Sequence, residues 1–361
     1  MTFTIEQPTG PEALTEFLLF QDRINGQRQA WWPALVDMNL PTLQGRGAAA
    51  EGRRFLPLAA RRDGEIVARV LGVIDEHYID HWDEELGHAS MFEALPGSRD
   101  SVRTLMNEVG AWFREQGMQA ARAGFGHGDF PFSLDGYDTL PPILLRQNPS
   151  YYHTLLKESG FESERGWVDY KIEVTPDLVA RWRGFLDDAR RRGFDIVPLS
   201  DISPDKRVDD FNDAWNEAFS QHWGVAPQSR EERSELFDTL GPLGMFDVSV
   251  IAYEKDEPVG TLWVAPELAS VMAATASGRA LHDDEKVNFL GIGVRDRARS
   301  KGVNLAMGAY AYLALVERGA RFLSYTLVLD DNWPSRRTAE KLGAYVCSNY
   351  MVYRRNFVRP G

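Results

Sequence analysis

Apolar residues follow strand and helix periods in an order that repeats between the two halves of the chain. In the second half, Val208, Phe211, Trp215 and Phe219 recur three or four positions apart, which is typical of an amphipathic helix over residues 204–223. The elements predicted around it are strands at 195–199, 246–253, 259–264 and 287–294, helices at 230–240 and 305–316, and a final strand pair at 345–354.

The first half shows the same order with weaker patterns. Val102, Leu105, Val109 and Phe113 lie on one face of a helix predicted over residues 101–116. The other predicted elements are strands at 3–5, 55–61, 66–74 and 89–94, a helix at 12–21 and a short helix that ends at Gly160. The repeated order predicts two domains, at residues 1–175 and 194–361, with the link near 173–193.

The junction between the strand at 287–294 and the following helix carries the most information about function. A basic, glycine-containing loop connects the two elements there, formed by Arg299, Ser300, Lys301, Gly302, Val303 and Asn304. Backbone N–H groups and the positive end of the helix dipole converge at such a junction. The segment therefore suits the binding of a phosphate group.

This loop resembles the first signature of the GNAT superfamily of acyl-CoA N-acyltransferases. In that family an Arg or Gln begins the pyrophosphate loop, five residues after a strand Val, and small residues follow it. Val294, Arg299 and Gly302 fit the pattern, while Asn304 stands in place of the last small residue. The family's second signature is an Asn at a strand end with a Gly eleven residues later.

The second signature is also present, and it distinguishes the two halves. Asn332 and Gly343 match it in the second half. In the first half, Asn148 and Gly160 resemble it, but the preceding loop, L-P-G-S-R-D-S-V, has no Arg-x-x-Gly step. Asp100 near that helix start would repel a phosphate. We therefore expect acyl-CoA to bind the second half only, with the first half as a degenerate partner.

The resemblance implies an α/β fold made of two tandem GNAT-like domains. Each is a mixed, mostly antiparallel sheet with a splayed central strand pair, flanked by helices. Acetyl-CoA, or another acyl-CoA, is the implied cofactor. The residues that the resemblance places at it are Ile292, Val294, Arg299, Ser300, Lys301, Gly302, Val303, Asn304, Asn332 and Ser335.

The catalytic groups depart from the family pattern. Many members carry a Tyr seven residues after the signature Asn as the general acid, and that position is Ala339 here. Tyr325 on the neighbouring strand, and Tyr350 or Tyr353 near the end, are candidates to replace it, although a strand Tyr also serves as half-buried packing. Glu285 lies where several members carry a base, and it equally fits a solvated turn carboxylate.

Composition narrows the class of protein. The 53 acidic and 40 basic side chains give a net charge of −13, which disfavours a nucleic-acid binder and suits either a cationic amine substrate or solubility alone. No apolar run of about 18 residues predicts a membrane span, and the acidic start of the chain argues against a signal peptide. The single cysteine permits no internal disulfide, so we expect a cytoplasmic protein.

A histidine cluster in the first half suggests a metal site only weakly. His77, His81 and His88 are close in sequence, and a four-residue spacing brings two imidazoles together on a helix. The pattern around Gly87 favours a loop, and no cysteine joins the group. We therefore predict no metal site.

These features predict an N-acyltransferase that transfers an acyl group, most simply acetyl, from acyl-CoA to a primary amine of a small molecule by direct attack. A non-catalytic tandem protein that senses or displays acyl-CoA is one alternative, and the missing Tyr favours it. A protein or peptide N-acetyltransferase is another, and it would require an open groove. Two closely facing domains would favour the small amine.

Overall fold

The computed structural model describes residues 2–357. The elements of the first half are β1 (Thr4–Glu6), α1 (Gly10–Asn25), β2 (Ala30–Trp31), α2 (Val36–Leu43), β3 (Arg53–Arg62), β4 (Glu65–Asp75), α3 (Glu76–Trp82), β5 (Leu86–Ala94), α4 (Arg99–Glu115), β6 (Ala120–Ala123), β7 (Phe132–Ser133), α5 (Tyr152–Glu158) and β8 (Glu162–Glu173). Those of the second half are α6 (Pro176–Arg191), β9 (Phe194–Pro198), α7 (Pro204–Phe219), α8 (Arg230–Leu240), β10 (Val250–Glu254), β11 (Glu257–Ala265), α9 (Ala269–Met272), β12 (Ala274–Thr275), β13 (Phe289–Val294), α10 (Val303–Glu317), β14 (Phe322–Leu329), α11 (Trp333–Leu342) and β15 (Tyr345–Asn356).

The two halves exchange their last strands. The large sheet has the order β1-β3-β4-β5-β6-β15-β8-β14, and β7 also pairs with β15. Strand β8 of the first half thus lies beside β14 of the second half, while β15 of the second half lies beside β6 of the first. Each half completes the sheet of the other, so the main-chain hydrogen bonds join them into one unit.

A second sheet, with the order β13-β11-β10-β9, belongs to the second half alone. Two hydrophobic cores cover its opposite faces. One contains Trp182 of α6, Met307 and Tyr312 of α10, and Tyr325 of β14. The other contains Phe211 of α7. The predicted mixed α/β sheet with flanking helices is confirmed.

Helix α11 shows how local sequence sets the ends of an element. Asn332 caps its first turn by accepting a hydrogen bond from the Ser335 N–H at 3.2 Å. Gly343 ends it with φ +96°, a conformation that favours glycine. A Cβ there would also lie 2.4 Å from Leu178 Cδ2, so α6 packs directly over this end.

The segment expected to link the two domains forms helix α6, which buries Trp182 and Ala189 among many charged residues. Two local predictions are wrong. The expected final strand pair is the single strand β15. The loop expected around the histidines is in part helix α3, because the Asp75 side chain accepts from the His77 and Tyr78 N–H groups and starts a helix there.

Between residues 2 and 357, no helix combines the length and the apolar character that crossing a membrane would need. Over the same range, His, Cys, Asp and Glu side chains form no group of three or more that could hold a metal ion.

Candidate functional site

Strands β13 and β14 run parallel and are joined only where they begin. The Asn288 amide exchanges hydrogen bonds with the Ser324 backbone, at 3.1 Å to its carbonyl and 2.9 Å from its N–H. Thr326 Oγ1 accepts from the Leu290 N–H at 3.0 Å and donates to the Leu290 carbonyl at 2.7 Å. Beyond this point β13 pairs only with β11, and β14 only with β8, among the strands of residues 2–357. The two strands therefore diverge and leave an opening.

The backbone N–H and carbonyl groups of every second residue of β13 face this opening. Leu290 presents its N–H and carbonyl to β14, whereas the Arg295 N–H bonds on the other side to the Val259 carbonyl at 2.9 Å. Because polar backbone groups alternate along a strand, Ile292 and Val294 face the same side as Leu290. These are the two strand residues that the sequence predicts at the cofactor.

The opening ends at the basic loop before α10. Ser300 and Gly302 have φ values of +63° and +84°, and Gly302 caps the helix. The side chain of Arg299 donates to the carbonyls of Val294 and Ala218, at 3.2 and 3.3 Å, and thereby fixes the loop against β13. Backbone N–H groups at the start of a helix have no partners within it, so those of α10 and the nearby cations together suit the binding of an anion.

One further cation lies beside the loop. Arg192, which follows α6, donates to the Lys301 carbonyl at 3.1 Å, and its Nη1 would be 3.9 Å from a Cβ at Gly302. The Lys301 ammonium group is 3.4 Å from Glu254. Apart from the adjoining residues, this arginine is the nearest part of residues 2–357 to such a Cβ, so the space in front of the helix is open to a charged group. Sequence reasoning missed Arg192 because it lies far from the loop in the chain.

The start of α11 lies beside the start of α10. Asn304 donates to Thr338 Oγ1 at 2.7 Å and links the two helices. Ser335, in the first turn of α11, is 3.0 Å from the Tyr325 hydroxyl. The structure thus brings Asn304, Ser335 and Asn332 together with Tyr325. The Asn332 side chain serves as the helix cap described above.

Tyr325 is buried, and its environment keeps it protonated. Burial raises the pKa of the Tyr325 hydroxyl to about 12, and the hydrogen bond with Ser335 opposes this rise only in part. Its ring packs edge-on against Tyr170 at 6.4 Å. A hydroxyl that stays protonated at neutral pH can act as a proton donor.

The other two predicted catalytic residues lie elsewhere. Glu285 forms a two-point ion pair with Arg279, at 2.9 and 2.8 Å, and accepts from the His282 N–H at 2.7 Å. Hydrogen bonding from Arg279 lowers the pKa of the Glu285 carboxyl, which makes it a weaker base. Tyr350 is buried in a different core from Tyr325. The structure therefore does not gather these three residues around one point.

Asp169 is a buried carboxyl group that sequence reasoning missed. It lies on β8, opposite an irregular step in β14 between Tyr325 and Val328, where Leu327 has φ +44°. Its Oδ1 is buried and has no hydrogen-bond partner among residues 2–357. Burial raises the pKa of Asp169 to about 8, and hydrogen bonding from the Tyr170 and Leu327 backbone opposes this only in part. A charged residue between the apolar Val168 and Tyr170 was the available signal.

The first half has a position that corresponds to the opening between β13 and β14, but side chains of the first half fill it. Strand β5 pairs with β6 only from Leu86 to His88. Farther along β5, the Ala94 N–H donates to the Tyr152 hydroxyl at 2.9 Å, and the Ala94 carbonyl accepts from the Tyr151 hydroxyl at 2.6 Å. Arg146 donates to the Phe92 carbonyl. The backbone groups that face the gap are thus already bonded.

Buried charges hold this filling in place. Arg146 pairs with Asp129 at 2.6 Å and approaches Glu93 at 3.5 Å, while Tyr152 donates to Glu93 at 2.6 Å. These side chains are all buried. Removing one partner would leave an uncompensated charge, which is costly in a protein interior.

Solved structures share this fold. The chain is 16% identical to a GCN5-related glucosamine N-acetyltransferase region of a fungal multi-domain GH3 β-N-acetylglucosaminidase, with a TM-score of 0.62 over 98% of this chain and 38% of that one. It is 11% identical to a tandem GNAT protein from the clavulanic acid biosynthesis pathway, with a TM-score of 0.60 over 100% and 99% of the two chains. A GCN5-related N-acetyltransferase from Sphaerobacter thermophilus has 14% identity and a TM-score of 0.56 over 99% and 96%.

Two curated relatives match part of the chain. A bacterial ceramide synthase from Caulobacter vibrioides is 24% identical over 238 residues, which are 64% of this chain and 61% of the relative. Protein YghO from Escherichia coli is 19% identical over 271 residues, which are 72% of this chain and 67% of that protein. No family model matches the chain.

Proposed function

We propose that this chain, which has the tandem GNAT fold, is an acyl-CoA-dependent N-acyltransferase whose second half binds the acyl donor. The observation that carries the proposal is the opening between β13 and β14, which leads directly to the basic loop and the first turn of α10. An opening bounded by strand backbone on one side and an anion site at its end suits a long molecule with a phosphate terminus.

Each part of acyl-CoA has matching residues in this proposal. The pyrophosphate binds the loop from Arg299 to Asn304, with Arg192 as an added cation. The pantetheine arm lies along the backbone of Ile292 and Val294, and a backbone N–H of β13 polarises the thioester carbonyl. Acetyl-CoA is the simplest donor.

The reaction is attack of a neutral amine on the thioester carbonyl. The new C–N bond forms, the C–S bond breaks, and coenzyme A leaves as a thiol after taking one proton. We assign Asp169 as the group that takes the proton from the amine, because it lies on β8 opposite the irregular step of β14 and its buried Oδ1 has no hydrogen-bond partner among residues 2–357. Tyr325 is the proposed donor to the leaving sulfur. Glu285 is the alternative base.

Substitution of Tyr325 by phenylalanine tests the donor. We expect Tyr325→Phe to reduce kcat about 100-fold with little change in acetyl-CoA affinity, because only the proton transfer is lost. Tyr312→Phe is the matched control. Tyr312 lies on the neighbouring helix α10, and its buried hydroxyl donates to the Ser324 carbonyl at 3.0 Å. Equal effects of both substitutions would show that Tyr325 only packs.

The first experiment is a calorimetric titration with acetyl-CoA followed by an assay of coenzyme A release with a panel of amines. We expect one binding site per chain, because Tyr151, Tyr152 and Arg146 already bond the backbone of β5. Two sites would contradict this assignment of the first half. Binding without release for any amine would favour the sensor alternative.

The panel should include peptides and a long-chain amino alcohol. One relative is named a ceramide synthase, and a ceramide is an N-acylated long-chain amino alcohol. Release of coenzyme A with peptides alone would favour the protein-acetylating alternative. Release with the amino alcohol would identify a lipid amine as the acceptor.

A further inference from the structure

Arg233 on α8 is a buried cation with no anion beside it. Its side chain is 1% exposed. The guanidinium carbon lies 4.9 Å from the ring centre of Phe211, 5.1 Å from that of Trp215 and 6.0 Å from that of Phe237. Its Nε and Nη2 are buried without a hydrogen-bond partner, and no described carboxylate pairs with it.

Two other fully buried arginines donate hydrogen bonds to protein oxygens. Arg122 forms a two-point pair with Glu164 at 2.8 and 2.9 Å. Arg69 has no carboxylate partner among residues 2–357 and its Nε is also unpartnered, but its Nη1 donates to the Leu18 carbonyl at 2.8 Å. The carboxylate next to Arg233 in sequence, Glu232, is committed to Arg53 at 2.6 Å and to the Ser229 N–H at 2.9 Å. Arg233 differs from both arginines because two of its nitrogens, Nε and Nη2, are buried without a partner among residues 2–357.

The surrounding rings offset only part of the cost of burying this charge. Burial lowers the pKa of Arg233 to about 9, and the neighbouring Glu232 opposes the shift only in part. At neutral pH the guanidinium is therefore still charged. A buried charge that lacks a counter-ion in the free protein is typical of a site that receives one from a ligand.

Arg233 lies one aromatic ring away from the strand that borders the opening. A Cβ at Gly291 of β13 would be 2.6 Å from Trp215 Cη2, so the Trp215 ring rests on this glycine. A Cβ at Gly293 would likewise be 2.6 Å from Phe219 Cε2. Helix α7 therefore lies flat on β13, and Trp215 separates β13 from the guanidinium.

The unpaired donors also specify the chemistry of the missing partner. Nε and Nη2 form one edge of the planar guanidinium, and two parallel N–H groups along an edge match the two oxygens of a carboxylate. An acceptor that carries both an amine and a carboxylate would place one charge at each end of a short molecule. Such a zwitterion also avoids the repulsion that a purely anionic ligand would meet from a chain of net charge −13.

We infer that Arg233 binds the carboxylate of the acceptor, and that the acceptor is an amino carboxylate of the amino-acid class. This inference rests on the proposed function. Because the guanidinium is covered by rings, the carboxylate enters when one of them, such as Trp215, turns aside. The aromatic cluster then closes around the ion pair and excludes water from it, which strengthens the pair.

The first arm of the test measures stability without any acyl donor. We expect Arg233→Met to unfold at a higher temperature than the wild type, because the substitution removes an uncompensated charge and keeps a flexible apolar side chain in the cluster. Arg233→Lys, which retains the charge, should not show this gain. An Arg233→Met protein that unfolds earlier, or that does not fold, would show that the arginine is structural and would overturn the inference.

The second arm measures recognition. Each proteinogenic amino acid is paired with the amine that its decarboxylation gives, and the rate of coenzyme A release from acetyl-CoA is measured with both members of the pair. We expect kcat/KM at least about 10-fold higher for the carboxylate-bearing member of the best pair, and no preference in Arg233→Met. Equal rates for both members with the wild type would overturn the inference while supporting the acyltransferase. If neither member is acylated, recognition is read from thermal shifts with the same amino acids, and a shift that does not depend on Arg233 would overturn the inference. The proposed function itself fails only if no amine of the full panel, including the peptides and the amino alcohol, releases coenzyme A.

Discussion

Replacement of Gly302 by glutamate is expected to weaken acetyl-CoA binding at least about 100-fold, which corresponds to about 3 kcal/mol. Gly302 has φ +84° and caps α10 in front of an open space. A glutamate side chain would occupy that space and place a negative charge where the pyrophosphate is proposed to bind. Calorimetric titration with acetyl-CoA measures the change directly.

The matched control is Gly319→Glu at the other end of the same helix. Gly319 has φ +94°, and a Cβ there would meet nothing within 4 Å. Both substitutions therefore add the same charge and a similar backbone strain, of about 1–2 kcal/mol. We expect Gly319→Glu to bind acetyl-CoA as the wild type does. Equal loss in both variants would mean that strain, and not the phosphate site, causes the weakening.

Asp169→Asn is expected to reduce kcat by about 100- to 1000-fold, because the amide cannot accept the amine proton. The companion variant is Glu285→Gln, which removes the alternative base. We expect it to have a small effect, since Glu285 is already paired with Arg279. If Glu285→Gln loses activity while Asp169→Asn stays active, then Glu285 and not Asp169 is the general base. Acetyl-CoA affinity, measured in both variants, separates a loss of chemistry from a loss of binding.

The pH dependence of stability tests the same residue without a substrate. The pKa of Asp169 is raised to about 8 in the folded chain, from an ordinary value near 3.8, so the folded state binds the proton more tightly than the unfolded state. Between about pH 4 and 8 the free energy of unfolding therefore falls as pH rises, by at most about 1.4 kcal/mol per unit from this group. Asp169→Asn should remove that slope and be the more stable protein above pH 8. A slope unchanged by the substitution would show that Asp169 does not titrate in this range.

The loop that we propose as the cofactor site could be identified from sequence because its features are local. The basic loop, Gly302 and the start of α10 are neighbours in the chain, and so are Asn332 and Gly343. Local patterns also predicted most strands and helices, since the periodicity of apolar residues reflects the face that each element buries. Helix α6 was missed because it buries few residues and displays many charges.

Asp169 and Arg233 could not be predicted in this way. The burial of Asp169 depends on β14, a strand that lies far along the chain and pairs with β8 only through the exchange. Arg233 lies in the charged run R-E-E-R-S-E, which reads as a solvated helix face. Its burial follows from aromatic residues on α7 as well as α8. In both cases the environment is set by tertiary packing, which sequence periodicity does not report.

The strand exchange determines the order in which the protein can form during synthesis. Ala123 of β6 pairs with Tyr353 of β15, the last strand of the described residues, so the first half leaves the ribosome with a sheet edge unpaired. Contacts between residues so distant in sequence close slowly, and an exposed edge can pair with another nascent chain. A premature stop before β15 would therefore leave both halves unfinished. Neither half can therefore complete its own sheet edge without the strand that the other supplies.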